Sequence, residues 1–256
     1  KVFPQLPGGG PQINTKIPPG WDHWFATYLH MFYNYFVNNN GTLTQVGEKE
    51  TDYHTDYICR EAVRTINQTP LNQPLALFTN FLAPHNYIET EEVDNSGDTG
   101  VLGYEHDYPI PANRHKGILS GIAPYRPSSY NEANIKDKPQ KNRWGLMTSE
   151  KIIETDKRYV ARLESLLAVD ECAGKIINAL ENRGRINNAY IIYTSDNGFL
   201  QGEHRITNSK QYVYEEAIRV PLIIRGPGIP KGQVLDNIVA NVDLAATIVD
   251  ATKSIP

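Results

Sequence analysis

The chain has 256 residues, with 25 Lys and Arg against 29 Asp and Glu and a formal net charge of -4. This length is sufficient for a large buried core, and 40% hydrophobic with 21% charged residues is typical of a globular protein. The slight acidic excess argues against general nucleic-acid binding, and no apolar run is long enough for a membrane span. Two cysteines are too few for a disulfide framework.

The first third of the chain is predicted to carry one helix and one buried strand. Residues 1–50 are rich in glycine, proline and asparagine, and the aromatic stretch at 21–37 predicts loops that anchor themselves through aromatic side chains. Apolar residues recur at every fourth position over 52–67, which predicts a helix. The apolar run 75–82 is bounded by prolines, a pattern typical of a strand buried on both faces.

The rest of the chain alternates between helices and strands after a long irregular stretch. Residues 86–147 show no period, which predicts loops that shape a binding site. A helix is predicted over 150–183, ended by Gly184. The remaining predicted elements are a strand at 189–194, a short helix within 195–217, a strand at 220–224 and a helix from about 243. This alternation predicts an α/β sandwich around a largely parallel sheet, in a single domain.

The most informative stretch follows the predicted strand 189–194. Asp196 and Asn197 stand directly beyond the carboxyl end of this strand, where open α/β sheets bind their ligands. A carboxylate and an amide carbonyl are hard oxygen donors suited to Ca²⁺ or Mg²⁺. Gly198 permits the sharp turn that would aim both side chains at one point. On spacing alone, an ordinary Asp-Asn-Gly turn is the favoured alternative.

Lys210 and His85 are candidates for the same cleft. Lys210 lies one loop beyond Asp196 and would supply positive charge to an anionic substrate, with a solvated lysine as the alternative. His85 ends a second apolar strand at the level that corresponds to Asp196, and a histidine can transfer a proton near neutral pH. A structural histidine is the alternative for this position.

Four motifs follow one another along the last quarter of the chain: Ser195-Asp-Asn-Gly198, Gly202-Glu-His-Arg205, Lys210-x-x-x-Tyr214-Glu215 and Arg219-Val-Pro-Leu-Ile-Ile-Arg-Gly-Pro-Gly228. Others lie upstream: Leu82-Ala-Pro-His85, Pro111-Ala-Asn-Arg-His115, Ser129-Tyr-Asn-Glu-Ala133 and the run from Arg162 to Asp170. Their order and spacing resemble the type I sulfatases, a formylglycine-dependent, alkaline-phosphatase-like family. The match spans nearly the whole chain and is similar to the arylsulfatase and N-acetylglucosamine-6-sulfatase branch.

The resemblance implies a sulfuric ester hydrolase that acts on sulfate esters of sugars or aryl alcohols. It implies that Asp196 and Asn197 are two ligands of a Ca²⁺ ion, with Mg²⁺ as the alternative metal. Lys210 would bind a sulfate oxygen. His85 would contact the substrate oxygens and protonate the leaving group, and His204 would line the site.

The family's nucleophile is absent from this sequence. It is a formylglycine made from Cys or Ser in a Cys-x-Pro-or-Ala-x-Arg motif, and neither Cys59 nor Cys172 begins such a motif. Both cysteines fall in predicted helices, and we interpret them as buried, inert thiols. We therefore expect a partial sulfatase catalytic domain, truncated at both ends, that does not turn over sulfate esters by itself.

Two other hypotheses stay open at the level of the sequence. One is a phosphoesterase or phosphonate hydrolase of the same superfamily, and the other is a non-catalytic protein that retains the pocket. The expected partners are a sulfated sugar or aryl sulfate and the missing amino-terminal segment of the same protein, with no nucleic acid and no membrane span. Glycosylation sequons at Asn40 and Asn67, together with the resemblance, predict a secreted or lysosomal glycoprotein.

Overall fold

The structure is a computed structural model that describes residues 15–28, 31–90, 103–106, 108–140 and 144–253. The chain divides into two compact units. The first unit comprises residues 1–185 together with 201–208, and the second comprises 186–200 together with 209–256. None of the helices in the described ranges combines the length and apolar character that a membrane span requires.

The first unit opens with a three-stranded antiparallel sheet. Strand β2 (Phe36–Asn39) pairs on one side with β1 (Phe25–Tyr28) and on the other with β3 (Thr42–Gln45). The turn between β2 and β3 is Asn40-Gly41, with φ angles of 48° and 88°. The prediction of loops over this segment is therefore wrong. An Asn-Gly pair is the favoured two-residue hairpin turn, because both positions tolerate positive φ. Asn40-Gly41 was therefore the sequence signal for this hairpin.

Two helices form the body of the first unit. Helix α1 (His54–Gln68) packs against α2 (Ser149–Asn182), which confirms both predicted helices within two residues at each end. The stop at Gly184 is also confirmed. Its φ is +65°, its N–H donates to the Glu181 carbonyl, and the next N–H donates to the Leu180 carbonyl. This is the hydrogen-bond pattern with which a glycine ends a helix.

A disulfide joins the two helices. Cys59 on α1 and Cys172 on α2 are bonded across a sequence separation of 113 residues, and both are buried. The interpretation of these residues as inert thiols is therefore wrong, although their burial is confirmed. The helical periods place each cysteine on the buried face of its own helix, but the pairing depends on which helix faces are opposed, and that is decided only by tertiary packing.

The run 75–82 does not form the predicted buried strand. It is irregular, and half of its residues are exposed, including Phe78 with 59% of its surface accessible. Only its end enters the core, where Leu82 packs with Phe32 and Val169. A strand is held by hydrogen bonds to a neighbour, and no segment in the described part of the chain pairs with this run.

The long stretch 86–147 is mostly irregular where it is described, as predicted. It contains one antiparallel hairpin that the sequence analysis missed, formed by β4 (Tyr87–Thr90) and β5 (Gly103–His106). A 3₁₀ turn at Asn113–His115 packs against α2. In the described part of this region, the absence of a period is therefore matched by irregular structure, apart from the pairing of β4 with β5.

The second unit contains a two-stranded sheet and two helices. Strand β6 (Ile191–Thr194) pairs with β7 (Leu222–Arg225), and helices α3 (Glu215–Ile218) and α4 (Asp243–Thr252) complete the unit. Both strands and the start of α4 agree with the predictions. The pairing of β6 with β7 is antiparallel, as is every strand pairing in the described ranges, so the expected parallel sheet is not formed there. An apolar run indicates burial, but it carries no information on the direction of the neighbouring strand.

Candidate functional site

Asp196 and Asn197 lie in a turn directly after β6. The Asn197 N–H donates to the Asp196 Oδ1 at 3.1 Å, and the Ser195 hydroxyl donates to the Asn197 carbonyl at 2.9 Å. From the segment before α4, the Asn241 side-chain amide donates to the Ser195 carbonyl at 2.9 Å. These hydrogen bonds hold the backbone of the turn, while Asp196 itself stays exposed.

The orientation of the Asn197 amide matters for metal binding. Its Nδ2 donates to the Gly198 carbonyl at 2.7 Å, so the donor half of the amide faces the backbone. Its Oδ1 is therefore the atom that a cation would take. Together with a carboxylate oxygen of Asp196, this amide oxygen is a donor set that suits Ca²⁺ or Mg²⁺ and does not suit a soft metal.

The chemistry of these two donors fits part of a hard-cation site. Ca²⁺ takes about six to eight oxygen ligands, so two side chains are a minority of a complete coordination sphere. Within the described ranges, no group of three or more His, Cys, Asp or Glu side chains could hold a metal ion. The role of Asp196 and Asn197 as two ligands of the implied ion therefore stays a prediction.

Gly198 is required at its position by close backbone approach. Its N–H donates to the Ala217 carbonyl at 2.8 Å, and the Phe199 N–H donates to the Glu216 carbonyl at 2.7 Å. A Cβ at this glycine would lie 3.0 Å from the carbonyl carbon of Glu216 and closer still to its oxygen. Its φ lies outside the left-handed region, so the close approach of the Glu216 carbonyl, and not a positive φ, is what requires glycine here.

Lys210 belongs to the same unit as the Asp196 turn. Leu200, which is fully buried, forms an isolated antiparallel bridge with Ser209, and Lys210 follows that bridge directly. The side chain of Lys210 is half-buried. Within the described part of the chain, no hydrogen bond or ion pair engages its ammonium group. A half-buried ammonium without an internal acid is suited to an anionic ligand.

His85 lies in the first unit, in a turn after Leu82. The His85 N–H donates to the Leu82 carbonyl at 2.8 Å, around the cis peptide bond between Ala83 and Pro84. The expectation that a strand ends here is wrong, because 75–82 is irregular. The His85 Nδ1 lies 3.0 Å from the Asn86 carbonyl oxygen. A carbonyl can only accept, so Nδ1 carries the proton in this contact.

His204 lies in the same unit, in the loop 201–208. Its φ is 55°, and its N–H donates to the Ser129 carbonyl at 2.8 Å. The His204 Nδ1 lies 2.7 Å from Oε1 of Glu132. This carboxylate fixes the orientation of the imidazole ring, in the way that carboxylates orient ligating and catalytic histidines.

Glu132 is itself held as a carboxylate. Burial raises its pKa, but hydrogen bonds from His204 and Lys138 outweigh burial and hold the pKa of Glu132 below its ordinary value. The Lys138 ammonium lies 3.2 Å from the same oxygen atom. Arg205 fastens the neighbouring backbone, because its guanidinium donates to the carbonyls of Glu132, Ala133 and Trp144. The sequence analysis assigned no role to Glu132, although the motif Ser129 to Ala133 pointed to it.

The predicted site residues are distributed over both units. Asp196, Asn197 and Lys210 belong to the second unit, whereas His85 and His204 belong to the first. The expectation that all five side chains open into one cleft stays a prediction.

Comparison with known proteins places the chain in a family. The family model described as Sulfatase matches residues 12–254. A Sulf-1 homolog of Caenorhabditis elegans is 35% identical over 240 residues, which is 91% of this chain and 31% of that protein. Human N-acetylglucosamine-6-sulfatase is 30% identical over 238 residues, again 91% of this chain, and 39% of the human protein. The chain thus spans about a third of the length of these relatives.

Solved structures agree on the fold. A protein crystallised with its substrate D-glucosamine-2-N,6-O-disulfate superposes with a TM-score of 0.68 at 24% identity, over 94% of this chain and 57% of that chain. A second structure, from a study of glycosaminoglycan metabolism in Bacteroides thetaiotaomicron, gives a TM-score of 0.58 at 19% identity, over 93% of this chain and 43% of that chain. The fold is therefore α/β and alkaline-phosphatase-like, as predicted. By the match of its residues 12–254 to the family model, the chain belongs to the sulfatase family.

Proposed function

We propose that the natural protein carrying this chain hydrolyses sulfate esters of amino sugars. The observation that carries this proposal is the sulfatase family match over residues 12–254, together with relatives named N-acetylglucosamine-6-sulfatase. The structural neighbour with a bound glucosamine disulfate supports the same substrate class. These names favour a sugar sulfate over an aryl sulfate, and they favour a sulfatase over a phosphoesterase.

In this proposal, Asp196 and Asn197 hold a divalent cation, preferably Ca²⁺, through one carboxylate oxygen and the amide Oδ1. The ion supplies positive charge where the sulfate oxygens become more negative during transfer. Lys210 binds a sulfate oxygen from the same unit, since its half-buried ammonium is engaged by no acid in the described ranges. Both effects stabilise developing charge, which is usually the largest contribution to such catalysis.

His85 serves as the proton donor to the departing alcohol. Its Nδ1–H is held by the Asn86 carbonyl, so the proton that is transferred resides on Nε2 of the cationic ring. His204, oriented by Glu132, contributes a second hydrogen-bonding group to the substrate. The roles of His85 and His204 do not require a cysteine of this chain, and both cysteines form the disulfide.

The family's nucleophile cannot be generated within this sequence. Neither Cys59 nor Cys172 stands in the required motif, and each is bonded to the other. We therefore propose that the 256-residue chain does not turn over sulfate esters by itself. In this proposal, activity requires a formylglycine in addition to the residues of this chain.

We further propose that the protein is secreted and glycosylated. The disulfide across α1 and α2 supports an oxidising compartment, since reducing compartments rarely preserve such bonds. Asn67 is exposed near the end of α1, which leaves its sequon accessible. Asn40 is also exposed, with its Oδ1 accepting the Trp24 N–H and its Nδ2 available for a glycan. Two relatives named extracellular sulfatases support this location.

The test is a turnover assay on the natural protein with N-acetylglucosamine 6-sulfate and Ca²⁺, beside an aryl sulfate. We expect release of sulfate from the sugar, and loss of at least about 100-fold in kcat for Lys210→Ala, as for other electrostatic contributors. Lys231→Ala is the matched control, since Lys231 is an exposed lysine of the same unit. Wild-type rates for Lys210→Ala, or turnover of phosphate esters alone, would contradict the proposal.

A further inference from the structure

Arg162 is a buried arginine whose guanidinium joins helix α2 to the Asn86 turn and to the loop 201–208. It lies on α2 with only 5% of its surface accessible. Its Nη1 donates to Oε1 of Gln201 at 2.8 Å, and its Nη2 donates to Oδ1 of Asn208 at 3.0 Å and to Oδ1 of Asn86 at 3.2 Å. All of these residues belong to the first unit.

The three acceptors lie beside the histidines of the candidate site. Asn86 follows His85 in the chain, and its carbonyl is the group that the His85 Nδ1 contacts. Gln201 and Asn208 are the first and last residues of the loop that carries His204. A single planar group thus connects the turn of one histidine with both ends of the loop that carries the other.

We propose that Arg162 is a positioning residue that sets the relative placement of His85 and His204 toward the sulfate ester. This inference rests on the proposed function. The guanidinium has five donors in a rigid planar fork, so it can satisfy three acceptors in fixed directions at once. Lysine carries the same charge on a flexible stem and does not reproduce that geometry. The fork is therefore the group that fixes the loop 201–208 relative to the Asn86 turn, in addition to the contacts that the loop makes through His204 and Arg205.

A purely structural role for Arg162 predicts a different outcome. If only a buried positive charge or its packing were needed, lysine would largely restore function, and the loss would appear in global stability. A positioning role predicts that Arg162→Lys keeps the fold, lowers kcat more than it changes KM, and alters the pH profile through the environment of His85.

The first experiment uses the 256-residue chain and does not depend on activity. We expect Arg162→Lys to accelerate amide hydrogen exchange at His204 and Ile206, whose N–H groups donate to the Ser129 and Glu203 carbonyls. Arg183→Lys is the matched control, since Arg183 donates to the Thr69 carbonyl about 30 Å farther along the same helix, at 1.5 Å per residue. Unchanged exchange at His204 and Ile206 in Arg162→Lys would overturn the inference.

The second experiment measures turnover of the sugar sulfate by the natural protein. We expect Arg162→Lys to lower kcat by about 10- to 100-fold, the cost of a displacement of about 1 Å in a catalytic group, with KM within about threefold. If Arg162→Lys does not fold, Asn208→Ala takes its place, because it removes one of the three acceptors. This variant should accelerate amide exchange over 201–208 and lower kcat. A wild-type kcat in either folded variant overturns the inference about Arg162. An inactive wild-type protein refutes the proposed function instead, and the exchange experiment then decides the inference about Arg162.

Discussion

Replacement of Gly198 by alanine tests whether backbone contact within the second unit holds the Asp196 turn. The added methyl group would overlap the Glu216 carbonyl, with its Cβ 3.0 Å from the carbonyl carbon and closer to the oxygen. Neither partner is a flexible side chain, so the strain can be relieved only by separating the two backbone segments. That separation breaks the hydrogen bonds from Gly198 to Ala217 and from Phe199 to Glu216.

The expected cost follows from these contacts. Overpacking a well-fitted site costs about 1–3 kcal/mol, and each of the two hydrogen bonds contributes about 1 kcal/mol net. We therefore expect Gly198→Ala to destabilise the second unit by about 3–5 kcal/mol. Affinity for Ca²⁺ in the natural protein should fall as well, because Asp196 and Asn197 precede the displaced residue.

The assay is chemical denaturation combined with hydrogen exchange at the Gly198 and Phe199 amides. Gly121→Ala is the matched control, because no atom lies within 4 Å of its added Cβ and its φ is outside the left-handed region. We expect the control to unfold like the wild type. Wild-type protection of both amides in Gly198→Ala, with an unchanged denaturation midpoint, would refute this account of the turn.

Three further predictions concern the first unit. Cys59→Ser, which leaves Cys172 without a partner, should lower the free energy of unfolding by up to about 5 kcal/mol. This is the chain-entropy value for a loop of this length. Under reductant, the denaturation midpoint of the wild type should fall to that of the variant. The pKa of Glu132 is lowered in the folded state. The ionised Glu132 carboxylate therefore stabilises the fold at a pH above its pKa in the unfolded chain, which is about 4.3. That stabilisation is lost as the pH falls through the lower pKa of the folded state. Glu132→Gln should remove that acid-induced loss and leave His204 more mobile in NMR spectra; an acid limb identical to wild type would contradict this. Gly202→Ala should destabilise the unit measurably, since φ is +120° there, and a wild-type midpoint would show that the loop adapts.

The family and the two long helices were predictable from the sequence. The helix period located α1 and α2 within two residues, and Gly184 marked the end of α2, because these signals depend only on neighbouring positions in the chain. Local order and spacing were enough for these conclusions. The motif from Ser195 to Gly198 also pointed to Asp196 and Asn197, whose role stays a prediction.

Strands were predicted less well, and the reason is physical. A strand depends on hydrogen bonds to a partner that is distant in sequence, so the apolar run 75–82 looked like a strand without having a neighbour. The sheet over 25–45 was missed for the same reason, although Asn40-Gly41 marked its hairpin. The direction of the pairing between β6 and β7 is equally a property of the folded chain.

Motifs and periodicity were enough to identify a sulfatase-family α/β protein with hard oxygen donors after β6 and without the family's nucleophile motif. The folded chain was needed to see that Cys59 bonds Cys172, that Gly198 makes a close backbone contact, and that Glu132 orients His204. Each of these depends on two segments that are far apart in sequence and adjacent in space. Residue order alone does not encode which surfaces are opposed, because that is set by the packing of whole elements against one another.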